Sequence, residues 1–164
     1  TAAPVQEGRR LAEAVGWAML LPQMLASLGL IFGLAGVGDI IGSLAPLAIP
    51  EGSRLAAVLA FTGGMALFTI LMGNAFAAFP VLMGGIGLPV LVNGLGGDPV
   101  VVGAVGMLAG FCGTLLSPMA ANFNIVPAAL LELPDRYAVI RAQAATAIPL
   151  WLFNSALIWG FAFR

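Results

Sequence analysis

The chain has 164 residues, 61% of them hydrophobic and only 8% charged, with a formal net charge of −1. A soluble domain carries about 25% charged residues, so this composition excludes a solvated globular surface and reads as an all-α, polytopic membrane protein. The six basic residues are all Arg and there is no His, which removes basic patches for nucleic acid and His-based metal sites as expectations.

"TAAPVQEGRR" has no basic region ahead of an apolar core, so it is not a secretory signal but a polar lead-in to a membrane span. Because the first residue is Thr, the chain is expected to be the later part of a longer protein, with 1–164 forming a single transmembrane domain. Ala14 to Val37 follows, reaching about 36 Å as a helix, with Trp17 near its interfacial start. "GDIIGSLAPLAIPEGS", Gly38 to Ser53, holds Asp39, Pro46, Pro50 and Glu51 and predicts a connecting segment resting on the membrane surface. Leu55 to Met72 is the next span.

"LMGNAFAAFP" then places Gly73 and Asn74, both poor helix formers, inside a long apolar run. Ala75 to Val92 continues, interrupted by Pro80, Gly84, Gly85, Gly87 and Pro89. Such a return arm suits a short piece, so Leu55 to Val92 is expected to form a re-entrant hairpin. "NGLGGDP" is a turn, and Asp98-Pro99 has the form of an N-cap with a first-turn proline. Val100 to Leu116 is a helix carrying Gly103, Gly106, Gly110 and Gly113 on one face, where a neighbouring helix can approach closely.

Ser117-Pro118 ends that helix and "MAANFN" makes a second break. Ile125 to Leu133 is about 14 Å if helical and is expected to complete the span begun at Val100. "ELPDRYAVIR" is the one charge-rich stretch of the interior, and Gln143 to Phe163 is the last span. The positive-inside preference groups Arg9, Arg10, Arg136 and Arg141 on the cytoplasmic side, leaving Arg54 and Arg164 opposite. Cys112 has no partner for a disulfide and reads as a small buried hydrophobe.

Irregular backbone at membrane depth survives only where protein buries it or where it lines a wet cavity, since an unpaired backbone group costs several kcal/mol in hydrocarbon. Secondary transporters build substrate sites from such broken helices. The break residues have matching chemistry: Asn74, Asn122 and Asn124 each carry donors and an acceptor, and Ser117 and Thr114 carry hydroxyls. The competing reading is that these groups bond helices together without touching a solute. No Asp, Glu or Arg falls at the centre of a span, so any coupling ion must be held by carbonyls, hydroxyls and amides, or by another chain. No nucleophile with its base is visible, and the expectation is not an enzyme.

"MGNAFAAFPVLMGGIGLPVLV" and "GGDPVVVGAVGMLAGFCGTLLSPMAANFNIVPAALLEL" resemble the C-terminal half of the bacterial integral-membrane family labelled domain of unknown function 979, over Leu55 to the C-terminus, which implies that the chain is the C-terminal half of a longer subunit. That family is paired with a second membrane subunit in a two-component transporter of pyroglutamate (oxoproline). It is also distantly similar to the ion-transporter superfamily of organic-anion carriers, where a hairpin tip and an unwound helix meet around the substrate. The resemblance implies that Gly73 and Asn74 form the tip and that Ser117 to Asn124 is unwound.

The reading is therefore a subunit of a secondary transporter of a small organic anion, pyroglutamate being the implied substrate, in the bacterial inner membrane. Gly73, Asn74, Ser117, Asn122 and Asn124 are the expected substrate contacts, and Met72, Phe76 and Phe123 the apolar walls. The expected partners are lipid, a second membrane subunit or further copies of the chain, with a Na or H coupling ion left open and no other cofactor. The alternative is a non-transporting scaffold that assembles another membrane protein.

Overall fold

Backbone that enters hydrocarbon must pair its own N–H and C=O groups, and for isolated apolar runs a helix is the way to do so. The computed structural model describes residues 3–50 and 52–164, and among them every regular element is helical. In chain order these are α1 (Ala3–Leu34), α2 (Val37–Ala48), α3 (Arg54–Met72) and α4 (Ala75–Leu82), which widens into a π-helical arm (Met83–Gly94). Then come α5 (Pro99–Leu116), a π-helical turn (Ala121–Ile125), α6 (Val126–Leu130) and α7 (Ala138–Phe161). Among the described residues, four segments are long and apolar enough to cross a membrane: 54–72, 75–94, 99–116 and 138–161. The chain is an all-α, multi-pass membrane protein with discontinuous helices.

Local signals fix the boundaries. The Ser53 hydroxyl accepts the Ala56 N–H at 3.3 Å and starts α3. Gly73, at φ 76°, closes it with a left-handed residue whose N–H donates to the Thr69 carbonyl. Asn74 then accepts the Phe76 N–H at 2.8 Å and opens α4 at once. The Asp98-Pro99 cap forms as its spacing predicts, with Asp98 accepting the Val100 N–H at 2.8 Å.

α5 packs between α3 and α7, and its glycine stripe faces α3 and α4. A methyl group added at Gly106 would meet the Phe61 ring at 2.5 Å, and one at Gly110 would meet Met65 at 2.8 Å. One at Gly113 would run into the Ala66 carbonyl. The hydroxyls of Thr62 and Ser155 meet at 2.9 Å in the core between α3 and α7. Cys112 is 1% exposed, as a small buried side chain should be.

The bundle has two ends. The Asp98 N–H donates to the Ala162 carbonyl at 2.7 Å, and the Arg54 guanidinium stands 5.1 Å from the Phe163 ring centre. These contacts gather the start of α3, the start of α5 and the end of α7. The hairpin tip, the end of α5 and the start of α7 therefore share the opposite end. The polar start of α1 lies there too: Arg10 is held above its ordinary value mainly by Glu7, with a smaller contribution from Glu132.

Three expectations change. Val37–Ala48 is a helix packed against the return arm, because Gly38 and Gly42 sit directly on the backbone of Gly85. The return arm is not a short piece: 75–94 spans 20 residues, because the glycines and Pro89 are absorbed as π-helical turns rather than ending the helix. Residues 118–137 do not complete the span of α5, which reaches about 27 Å by itself. They fold back as a cap over the end where α7 begins. Trp17 and Asn122 have side chains outside the described residues, as does all of Glu51.

Candidate functional site

The two sequence breaks, more than forty residues apart, meet at the capped end of the bundle. Gly73 makes the closest approach: a methyl group there would lie 2.5 Å from the Met119 carbonyl oxygen. Both its positive φ and this contact require glycine. Ser117, fully buried, donates its hydroxyl to the Ile70 carbonyl at 2.7 Å and accepts the Met119 N–H at 3.0 Å. One side chain thus satisfies a carbonyl from the last turn of α3 and an amide freed by the break in α5.

Asn124, 1% exposed, holds the other side of the second break. Its amide nitrogen donates to the Ser117 carbonyl at 2.7 Å and to the Thr114 carbonyl at 3.2 Å. Among the described residues its Oδ1 is buried with no donor, and the buried hydroxyls of Thr69 on α3 and Thr114 on α5 have no partner. Buried polar atoms are paired in the large majority of cases, and three unpaired oxygens gathered on the elements that meet at a helix break mark a polar centre inside an apolar bundle.

Behind the second break lies a cavity of about 380 Å³, within the range of small-molecule sites. Pro118, Met119, Asn124 and Ile125 line it from the break, and Arg136, Tyr137 and Ile140 from the start of α7. The Arg136 guanidinium stands 5.5 Å from the Tyr137 ring centre. The charge-rich stretch noted in the sequence therefore contributes one exposed arginine, Arg136, to the lining. The signal available was an arginine within a few residues of a helix start in a chain with six arginines in all.

The expected contacts divide. Gly73, Asn74, Ser117 and Asn124 come together around the break, and Asn124 also borders the cavity. Asn122 lies in the π-helical turn, with its side chain outside the described residues. The expected apolar walls do not form one wall. Phe76 is 56% exposed and meets Phe111 edge-on at 5.8 Å, because the first turn of α4 turns it outward. Phe123 lines a separate apolar cavity of about 300 Å³ with Phe111, Cys112 and Asn154. Met72, at the end of α3, is half-buried. Met119, Ile125 and Ile140 take the place given to them. Among the described residues, no three His, Cys, Asp or Glu side chains gather where they could hold a metal ion.

A family model described as "Protein of unknown function (DUF979)" matches residues 1–163, so the similarity takes in the first span as well as the stretch from Leu55 onward. No curated protein and no solved structure matches the chain.

Proposed function

We propose, on the premise that the chain belongs to the DUF979 family of proteins of unknown function, that it is the substrate-binding membrane subunit of a secondary transporter for a small organic anion. Pyroglutamate is the substrate that the sequence resemblance implies, and the bacterial inner membrane the location. One observation carries this reading: two helix discontinuities pack tip to break beside an arginine-lined cavity. Broken helices leave peptide dipoles and polar side chains that a solute can use at membrane depth, and transporters place their sites at such breaks.

The scaffold reading draws on the hydrogen bonds from Ser117 and Asn124, which tie the breaks together. It accounts for the paired groups and leaves the cavity and the unpaired oxygens of Thr69, Thr114 and Asn124 without a role.

The test is uptake of labelled pyroglutamate by cells lacking their own uptake, with the full-length chain expressed alone and together with its second membrane subunit. Saturable uptake that depends on this chain is expected. A cysteine at Met119 in that protein should be protected from a water-soluble thiol reagent by excess pyroglutamate. Absence of uptake with both subunits present, together with labelling indifferent to pyroglutamate, would leave the scaffold as the better account.

A further inference from the structure

We propose that Arg136 takes the carboxylate of the transported anion, in the cavity behind the second break. The inference rests on the transporter reading for its biological meaning, but it is carried by the distribution of charge at this end of the bundle.

The other arginines gathered there are engaged. Arg9 pairs with Glu13 at 2.7 Å, Arg10 with Glu7 at 2.6 Å, and Arg141 with Asp135. Asp135 also accepts the Tyr137 N–H at 2.9 Å, and that bond, with the Arg141 guanidinium, holds its carboxyl below the usual range. Asp135 is thus kept ionised and turned toward Arg141. Arg136, its immediate neighbour, has no carboxylate partner among the described residues and borders the cavity instead.

Among the described residues no acidic side chain lines the cavity, so its one charged group is cationic, while the free acceptor beside it, Asn124 Oδ1, calls for a donor on the solute. α7 begins at Ala138, so the positive end of a 24-residue helix lies beside it. The Tyr137 ring beneath the guanidinium restricts its excursions into solvent. A guanidinium presents its N–H groups as a planar fork that matches a carboxylate in two parallel hydrogen bonds, a geometry that Lys lacks. Met119, Ile125 and Ile140 leave an apolar lining for the body of the solute. The ligand class is a small organic acid with one carboxylate and a compact, largely uncharged body.

The experiment uses the purified full-length protein in detergent, followed by thermal unfolding. Pyroglutamate, lactate and acetate are titrated in turn, beside pyroglutamamide, the neutral amide of the first. The wild type should be stabilised by pyroglutamate and not by pyroglutamamide. Arg136→Gln should bind pyroglutamate at least tenfold more weakly with its unliganded midpoint unchanged, and Arg136→Lys should fall between. Equal stabilisation of the wild type and Arg136→Gln overturns the assignment, and so does the absence of stabilisation by any of the three acids. If binding follows Arg136 but cells show no uptake, the transport reading fails while the anion site stands.

Discussion

Ser117 and Thr114 lie three residues apart on the same helix end, yet their hydroxyls stand in opposite situations. Ser117 bonds on both sides, to Ile70 and to Met119. Thr114 is 2% exposed and its hydroxyl has no partner among the described residues. Removing the first breaks two part-buried hydrogen bonds, to the Ile70 carbonyl and the Met119 amide, each worth about 0.5–1.5 kcal/mol. Removing the second costs nothing in hydrogen bonds, and replacing it with the isosteric Val relieves a desolvated hydroxyl. Ser117→Ala should therefore lower the thermal midpoint in detergent, while Thr114→Val should match or exceed the wild type. If Thr114→Val keeps its stability and loses uptake, the unpaired hydroxyl serves the transported solute or its coupling ion. A midpoint for Ser117→Ala equal to the wild type would mean that the breaks are not held together as described. The sequence marked both residues as polar groups near a break. It could not tell them apart, because the partner of Ser117 lies 47 residues away on another helix.

Among the elements, what could be read early is what depends on neighbours in the chain. The Asp98-Pro99 cap and the end of α5 at Ser117 are encoded in adjacent residues and stand where expected. The glycine stripe is also local, since a period of three and four puts its members on one face whatever packs there. The return arm was harder. Gly84, Gly85, Gly87 and Pro89 read as interruptions, but tertiary contact with α2 turns Gly85 into a packing surface and the helix continues in a wider form. α2 itself could not be recognised as a packed helix without knowing its partner. The stripe yields a prediction at this scale. Gly106→Leu and Gly110→Leu insert side chains where Phe61, Met65 and Ala75 already stand. Overpacking of this kind costs about 1–3 kcal/mol or more. Both variants should give less folded protein, and whatever folds should keep the pyroglutamate affinity of the wild type. Normal yield with weakened binding would place the solute against this face instead of behind the second break.

For the whole molecule, the two ends and the lengths between them bear on the hairpin. Arg54 and Arg164 stand at one end, beside Phe163 and Phe161, whereas Arg136 and Arg141 stand at the other with the start of α1. On the proposed inner-membrane location, the positive-inside preference predicts that the second group faces the cytoplasm. α3 has 19 residues, about 28 Å at the α-helical rise, and the return arm has 20, of which the 12 in π-helical turns rise less per residue, so it is somewhat shorter, beside a bilayer core of about 30 Å. Arms of that length are long enough to carry the tip toward the far boundary, level with the start of α7, where a short re-entrant loop would stop midway. Cysteines at Ser53 and Asn93 share a face in either arrangement, so the tip must be probed. In a Cys112→Ser background, which replaces the one native thiol, Met119→Cys replaces a side chain that is 59% exposed and reports the second break, on which Gly73 of the tip packs. Asn93→Cys reports the other end. An impermeant thiol reagent should reach Asn93→Cys in intact cells with the outer membrane permeabilised, and Met119→Cys only in inverted vesicles. Labelling of both from the periplasmic face would show that the tip stops short of the cytoplasm. It would also make the arginine-lined cavity an outward-facing site.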